Sequence, residues 1–162
     1  MRLWSVRREF DSLLPPLGKK VKMKTKKILF VCKYNRFRSR VAESFFKKYN
    51  KNKGINSDSA GVFRGELPLG KNEIEVAKEF GIKIKGKPKG MSYPKLFGYD
   101  IVVIVANDVP RNLFRREGKY NNKVIEWKIN DNYDGDKVKL RKIVDKIENK
   151  VIKLVKKLEK EK

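Results

Sequence analysis

Histidine is absent from this chain of 162 residues. Catalytic pairs in which an imidazole activates a cysteine or a serine are therefore excluded, as are metal sites that use histidine ligands. Any nucleophile here must be activated by backbone dipoles, by backbone N–H groups or by nearby cations. We accordingly expect a site without a metal ion or another cofactor.

Cysteine occurs once, at Cys32. A single cysteine cannot form an intramolecular disulfide, and a lone free thiol suits a reducing compartment. Long apolar runs are also missing: none approaches the about 18 residues that a membrane span requires, and residues 1–8 lack the uninterrupted apolar core of a signal peptide. We therefore expect a cytoplasmic protein without a membrane span, and its length predicts one domain.

Acidic residues are scarce, with 19 Asp and Glu against 42 Lys and Arg, so the net charge is +23. Such a charge attracts polyanions, which makes nucleic acid or an anionic surface a candidate partner. The basic residues are, however, spread along the chain and are not interleaved with aromatic residues that could stack on bases. This distribution favours a solvated cationic surface over a dedicated nucleic-acid site.

Residues 1–26 contain two adjacent prolines, a glycine and a lysine-rich run, and they precede the first predicted strand. We interpret them as an N-terminal basic tail that is dispensable for activity, followed by a single domain over residues 27–162. The alternative is that apolar residues of this segment pack on the core or on a partner; they are Leu3, Trp4, Phe10, Leu13 and Leu14.

The chain beyond the tail alternates strands with helices. Strands are predicted at residues 28–31, 55–60, 101–105 and 124–129, and helices from Arg40 onward, at 72–80 and at 137–160, with short helices at 91–97 and 109–117. This alternation indicates an α/β protein whose parallel strands are joined by right-handed crossovers. We expect a three-layer sandwich of the flavodoxin-like type, with strand order 2-1-3-4 and a site at the carboxyl edge beside the first strand.

The most informative stretch joins the first strand to the first helix. An apolar run ends at Cys32, and Arg38 and Ser39 follow just before the helix. The first turn of a helix carries unpaired N–H groups and a positive dipole end, which attract anions and favour a thiolate. The planar guanidinium of Arg38 can bind two oxygens of one phosphoryl group. The stretch predicts a phosphate-binding loop with a nucleophilic sulfur; the alternative is that Cys32 is a small buried hydrophobic residue.

These residues resemble the low-molecular-weight protein tyrosine phosphatase family, which shares its fold with thioredoxin-coupled arsenate reductases. The match lies in Cys32, Asn35 and Arg38-Ser39, and it continues at residues 59–61, 81–82, 100–102 and 129–131, so that it covers about residues 27–158. The resemblance implies the phosphotyrosine phosphatase I fold. It also implies a hydrolase that forms a phosphocysteine intermediate, with a phosphotyrosine protein or a small aryl phosphate as substrate.

The resemblance implies catalytic roles for Cys32 as nucleophile, Arg38 as phosphate ligand and an aspartate as general acid. The family carries its acid in an Asp-Pro pair after the fourth strand, and Asp131-Asn132 occupies that place. We therefore favour Asp131. Three other aspartates remain alternatives, although a turn or helix-cap role would explain them equally well; they are Asp108, Asp134 and Asp136.

Substrate contacts are expected from the loop and from two aromatic side chains. Backbone N–H groups would bind the phosphoryl oxygens, Asn35 would brace the loop in a left-handed conformation, and Ser39 would stabilise the sulfur. The loop that corresponds to residues 62–65 borders the substrate pocket in the family, so the resemblance implies that Phe63 contacts an aromatic substrate, with plain packing as the alternative; Tyr133 would line the entrance. The remaining loop residues in this prediction are Lys33, Tyr34, Arg36 and Phe37.

The chain departs from the family pattern at three positions. Tyr34 stands where many members have glycine, which predicts a change in loop conformation or access. Phe37 stands where many have a second cysteine, so the nucleophile cannot be protected by a neighbouring disulfide. Asn132 replaces a proline, which predicts a looser placement of Asp131.

Two other functions remain open at this point. The first is a non-catalytic module that binds an oxyanion or nucleic acid with the same loop. The second is an arsenate reductase, which would need an external thiol because this chain has one cysteine. The sequence does not decide the oligomeric state.

Overall fold

The computed structural model describes residues 25–92, 96–114 and 122–161. Its centre is a sheet of four parallel strands: β1 (Lys26–Cys32), β2 (Ile55–Gly61), β3 (Ile101–Val105) and β4 (Lys123–Trp127). The strands lie in the order β2-β1-β3-β4, which confirms the predicted order 2-1-3-4. The predicted N-terminal tail lies outside the described residues up to position 24.

Strand β1 is buried on both faces of the sheet. Ile28 and Phe30 point into one hydrophobic cluster, whereas Leu29, Val31 and Cys32 point into the other. A strand needs apolar residues at every position when both faces are covered, and this explains the uninterrupted apolar run of the sequence. The loop that follows Cys32 therefore leaves the sheet at its centre.

Three long helices cover one face of the sheet: α1 (Arg38–Tyr49), α2 (Lys71–Glu79) and α3 (Lys137–Lys160). Each contributes an apolar stripe to the larger cluster, for example Phe45 of α1, Val76 of α2 and Ile147 of α3. The opposite face is covered by shorter segments, including Leu96 and a 3-10 helix at Arg111–Phe114. The two covering layers and the sheet form the predicted three-layer α/β sandwich. None of the helices among the described residues is long and apolar enough to cross a lipid bilayer.

Several element boundaries differ from the predictions. Strand β1 begins at Lys26, because this residue pairs with Ile55 and its N–H donates to Gly54. Strand β4 ends at Trp127, two residues before the predicted end at position 129. Helix α1 begins at Arg38, two residues before the predicted start. The shift of α1 brings Arg38 and Ser39 into its first turn.

The two predicted short helices have different outcomes. The helix predicted at 109–117 is limited, among the described residues, to the 3-10 helix Arg111–Phe114, and residues 115–121 lie outside the description. The helix predicted at 91–97 includes residues 93–95, which also lie outside it. Gly81 follows α2 with a positive φ of 73°, as expected for a glycine that terminates a helix.

Candidate active site

The loop of residues 33–37 joins β1 to α1 and curls around the sulfur of Cys32. Asn35 makes this curl possible with a left-handed φ of 54°, which confirms the predicted backbone conformation. Its backbone N–H donates a hydrogen bond of 3.2 Å to Sγ of Cys32. Cys32 itself is only 3% exposed. Its sulfur lies at the base of the loop, so a ligand reaches the sulfur only by entering the loop.

The side chains of Asn35 and Ser39 hold the loop in this shape. Asn35 Nδ2 donates to Ser39 Oγ at 2.8 Å, and Asn35 Oδ1 accepts from the backbone N–H of Lys89 at 2.8 Å. Ser39 Oγ lies 3.0 Å from Cys32 Sγ. Asn35 is 1% exposed and Ser39 is fully buried, so every polar atom of the network has to find a partner within the protein. The network fixes the sulfur relative to the loop backbone.

Four backbone N–H groups around the loop are free to bind a ligand. No described residue accepts a hydrogen bond from the N–H of Tyr34, Arg36, Phe37 or Arg38. Helix α1 has neither a side-chain cap at Phe37 nor an acidic residue in its first turn. The positive end of its dipole is thus unneutralised, and a tetrahedral oxyanion is the ligand that such a cluster of donors binds.

Arg38 brings the ends of two other strands to this loop. Its side chain is 3% exposed, and its Nη1 donates to the backbone oxygen of Ile129 at 2.8 Å. Its Nη2 lies 3.0 Å from Asp108 Oδ1 and 3.3 Å from Asp131 Oδ2. The three partners follow β3 or β4, whose carboxyl ends meet the end of β1 at the same edge of the sheet. A bound phosphoryl group would compete with these carboxylates for the guanidinium.

The four candidate aspartates therefore separate into two pairs. Asp108 and Asp131 face Arg38, with side chains 27% and 24% exposed. Asp136 instead caps α3 by accepting from the N–H groups of Val138 and Lys139. Asp134 pairs with Lys139 at 2.6 Å, and this interaction holds the pKa of Asp134 below its ordinary value. The second pair has the turn and cap roles, and the first pair lies beside the loop.

The predicted substrate-contact residues fall into distinct environments. Tyr34 and Phe63 are 38% and 58% exposed, and their ring centroids lie 6.1 Å apart, so they form an aromatic pair at the mouth of the loop. Lys33 Nζ lies 5.2 Å from the Tyr34 ring centroid. Phe37 points into the hydrophobic core and is 4% exposed, so only its backbone can meet a ligand. Tyr133 is 79% exposed.

The side chain of Arg36 points away from the loop interior. Its guanidinium donates to the backbone oxygens of Leu67 and Pro68 at 3.1 and 2.8 Å and pairs with Glu73 at 3.2 Å. Glu73 is buried and also accepts from the backbone N–H of Gly70 at 2.6 Å. As with Phe37, any contact of Arg36 with a phosphate is limited to its N–H. The side chain instead anchors the segment before α2 to the loop.

Of two further residues that shape the site, the sequence predicted the role of one and missed the other. Gly61 belongs to the small residues 59–61, which predict that β2 passes close to the loop, and a Cβ there would lie 2.3 Å from Phe63 O and 2.6 Å from the carbonyl carbon of Tyr34. Arg40 was not singled out; it is 6% exposed and burial lowers the pKa of its guanidinium. Nothing in the local sequence pattern indicated the burial of Arg40.

Comparison with known proteins places this geometry among phosphatases and their relatives. The sequence profile of low molecular weight phosphotyrosine protein phosphatases matches residues 27–162. A low molecular weight protein tyrosine phosphatase from T. tengcongensis is 29% identical with a TM-score of 0.70, covering 82% of this chain and 99% of that one. An arsenate reductase from Archaeoglobus fulgidus DSM 4304 is 27% identical with a TM-score of 0.64, covering 79% and 98% respectively.

The fold is also that of the YwlE arginine phosphatase from Geobacillus stearothermophilus. That structure is 23% identical with a TM-score of 0.73, and the alignment covers 84% of this chain and 94% of that one. A search among curated proteins found no match.

Proposed function

Because the chain belongs to the low molecular weight phosphotyrosine protein phosphatase family, we propose that it hydrolyses aryl phosphomonoesters through a phosphocysteine intermediate on Cys32. The observation that carries the proposal is the loop itself. Sγ of Cys32 accepts a hydrogen bond from the backbone N–H of Asn35, and further N–H groups of the loop have no partner among the described residues. This arrangement supports a site for a tetrahedral dianion directly against a sulfur nucleophile.

In the first step the thiolate sulfur of Cys32 attacks phosphorus and an S–P bond forms. The bond between phosphorus and the aryl oxygen breaks, and that oxygen takes a proton from Asp131. The loop N–H groups and Arg38 bind the three non-bridging oxygens, over which negative charge is spread in a loose transition state. The products of this step are the phenol and a phosphocysteine.

In the second step water attacks the phosphocysteine. Asp131, now a carboxylate, accepts a proton from the water as its oxygen bonds to phosphorus, and the S–P bond breaks to release inorganic phosphate. Ser39 Oγ, 3.0 Å from the sulfur, donates a hydrogen bond to the departing thiolate. The sulfur returns to its starting state, so that no external reductant or metal ion enters the cycle.

Two features favour an aryl phosphate as the substrate. A phenol is a better leaving group than an alkyl alcohol because its oxygen is less basic, so one proton donor suffices to expel it. The exposed pair of Tyr34 and Phe63 at the loop mouth offers aromatic surface for a ring. We therefore propose phosphotyrosine in a protein, or a small aryl phosphate, as the substrate class.

The direct test is hydrolysis of para-nitrophenyl phosphate in the presence of a metal chelator. We expect turnover, inhibition by vanadate, and a loss of at least about a thousandfold for Cys32→Ser. Arg38→Lys should lower turnover by about a hundredfold because an ammonium cannot bind two oxygens in one plane. The control is Arg141→Lys, which removes an exposed guanidinium paired with Glu79 on the helical surface. Normal turnover of Cys32→Ser would refute the covalent mechanism.

Substrate specificity is measured with peptides that differ only in the phosphorylated residue. Phosphotyrosine should be hydrolysed faster than phosphoserine, and faster than phosphoarginine, the residue class suggested by the arginine phosphatase with the same fold. A preference for phosphoarginine would retain the covalent mechanism and refute the aryl substrate. Labelled phosphate found covalently bound to Cys32 in rapidly quenched samples would support the intermediate in either case.

Arsenate reduction is a second candidate, favoured by the 27% identity to the arsenate reductase from Archaeoglobus fulgidus DSM 4304. An arsenate bound to Cys32 would have to be reduced by two electrons from external thiols, since the chain holds one cysteine. Production of arsenite from arsenate with glutathione, at a rate that Cys32→Ser abolishes, would support it. Phosphatase turnover without arsenite production would exclude it.

A further inference from the structure

A strongly basic groove runs along the outside of the phosphate-binding loop. It consists of two adjoining cavities of about 650 and 440 Å³ that meet at Arg40. The first lies between residues 64–69 and 86–88, and the second between α1 and residues 81–85. The seven basic residues that line it are Arg40, Lys47, Lys48, Arg64, Lys83, Lys85 and Lys87.

The charge of this groove is poorly balanced within the protein. Apart from Lys47, none of these basic side chains forms an ion pair with a described carboxylate. Two acidic residues line the groove among the described residues, Glu43 and Glu66. Glu43 is already paired with Lys47, so only Glu66 has no basic partner in this part of the described chain. Such a surplus creates a positive potential in a concave surface, where low-dielectric walls strengthen it.

Arg40 shows the same imbalance at the centre of the groove. Its guanidinium is buried and is held by backbone oxygens alone, those of Lys85 at 2.7 Å, Gly86 at 2.6 Å and Arg36 at 3.4 Å. Burial lowers the pKa of this guanidinium, an effect that Glu43 and Cys32 partly oppose. A carboxylate from a ligand in the groove would add to the limited negative charge that the protein places beside this guanidinium.

The groove is continuous with the mouth of the loop. Arg64 follows Phe63, whose N–H donates to the backbone oxygen of Lys33 at 2.9 Å, and the N–H of Gly65 donates to Tyr34 at 3.0 Å. A polymer that places one phosphate in the loop can therefore continue directly into the groove. We propose that the groove binds an acidic segment of a phosphorylated polypeptide, next to the residue whose phosphate enters the loop; this inference rests on the proposed function.

The lining favours a polypeptide over a nucleic acid. Among the described residues, no aromatic side chain lines either cavity, whereas sites for single-stranded nucleic acid depend on aromatic rings that stack on bases. Leu67, which is 69% exposed, and the partly buried Leu69 line the larger cavity instead. Aliphatic surface between cations suits a peptide whose acidic side chains alternate with apolar ones.

The test compares two phosphotyrosine peptides that differ only in having glutamates or glutamines beside the phosphorylated residue. At low ionic strength we expect kcat/KM to be about tenfold higher for the glutamate peptide. The preference should disappear at about 0.5 M salt, because exposed charges are then screened. It should also disappear in the double variant Lys83→Glu/Lys85→Glu.

The matched control is Lys153→Glu/Lys156→Glu, which makes the same change in net charge on an exposed part of α3. This variant should keep the preference for the glutamate peptide. Hydrolysis of para-nitrophenyl phosphate should be equal in the parent and both variants, since this substrate does not reach the groove. Its turnover therefore reports on the proposed function alone.

Three outcomes would overturn the inference. Equal kcat/KM for both peptides with normal para-nitrophenyl phosphate turnover would overturn it while the proposed function stands. Loss of the preference in both double variants would show an effect of overall charge, not of the groove. Binding of a single-stranded oligonucleotide that only Lys83→Glu/Lys85→Glu abolishes, together with equal peptide rates, would assign the groove to nucleic acid.

Discussion

The backbone N–H of Asn132 donates a hydrogen bond of 2.9 Å to Oδ1 of Asp131. A proline at this position, as in the family's Asp-Pro pair, would have no N–H to donate. The side chain of Asn132 adds two bonds, one to the backbone oxygen of Asp136 at 3.1 Å and one from the N–H of Asp134 at 3.1 Å. These three bonds oppose the loosening of the loop that the missing proline predicts.

This placement leads to a prediction about the general acid. Asp131→Asn should slow turnover by about a hundredfold for aryl phosphates with poor leaving groups, because the leaving oxygen loses its proton donor. The effect should be smaller for para-nitrophenyl phosphate, whose leaving group departs without full protonation. The measurement is the slope of log kcat against the pKa of the leaving phenol, before and after the substitution.

Asp108→Asn is the control for this experiment, since Asp108 contacts the same guanidinium nitrogen at 3.0 Å. It should raise KM by disturbing Arg38 while leaving the dependence on the leaving group unchanged. If Asp108→Asn steepens the dependence and Asp131→Asn does not, the proton donor is Asp108.

Gly61 leads to a prediction about the shape of the loop. A Cβ at Gly61 would lie 2.3 Å from Phe63 O, 2.6 Å from the carbonyl carbon of Tyr34 and 2.7 Å from Asn35 N, and these are backbone atoms that cannot rotate away. Gly61→Ala should therefore displace the loop, destabilise the protein by about 1–3 kcal/mol and lower turnover. Chemical denaturation and para-nitrophenyl phosphate kinetics measure the two effects.

Gly70→Ala is the matched control, because the nearest atom to its added Cβ would lie 3.4 Å away in ordinary contact. It should retain turnover. A fully active Gly61→Ala protein would mean that the loop tolerates displacement of its backbone.

Asp136 leads to a prediction about stability without an effect on chemistry. Its carboxylate accepts from Val138 N at 2.8 Å and from Lys139 N at 3.2 Å, and so caps α3. Asp136→Ala should lower the free energy of unfolding by about 1 kcal/mol and Tm by about 2–4 °C, while turnover stays near that of the parent. Asp136→Asn retains a capping oxygen and should lose less. A large loss of turnover with little change in Tm would reopen Asp136 as a catalytic group.

Asp58 leads to a prediction about pH. Burial raises the pKa of this carboxyl. The hydrogen bonds from Lys89, the Ser59 N–H and the Tyr99 hydroxyl, together with the charge of Lys89, lower the pKa by a larger amount, so the net shift is downward. A depressed pKa in the folded state stabilises the protein above the unfolded pKa of about 3.9, and this stabilisation is lost as pH falls through the folded value.

Asp58→Asn should therefore lower Tm at neutral pH, and its difference from the parent should shrink toward about pH 3. Thermal unfolding followed by circular dichroism over this pH range measures the difference. Asp145→Asn, at an exposed position of α3, is the control for the exchange of aspartate for asparagine itself. A difference for Asp58→Asn that stays constant with pH would indicate lost packing instead of lost charge.

The sequence by itself determined the features that depend on neighbours along the chain. The apolar run before Cys32 and the spacing of Phe45 from Val41 encode a buried strand and an amphipathic helix, since each pattern follows from local backbone periodicity. The short distance from Cys32 to Arg38 places the sulfur and the guanidinium on one loop. The alternation of strands and helices likewise predicted a parallel sheet, because successive parallel strands need a crossover segment between them.

Only the tertiary structure decided which of the four candidate aspartates meet that loop. Arg38 contacts Asp108 and Asp131, which lie 70 and 93 positions away in the chain, and Arg36 turns toward Glu73, 37 positions away. The sequence predicted that these strand ends share one edge of the sheet, but the side-chain directions there depend on tertiary packing, which no local pattern encodes. The burial of Arg40 likewise appears only once the chain is folded, because its guanidinium donates to the backbone oxygens of residues 85 and 86, which are distant in the sequence.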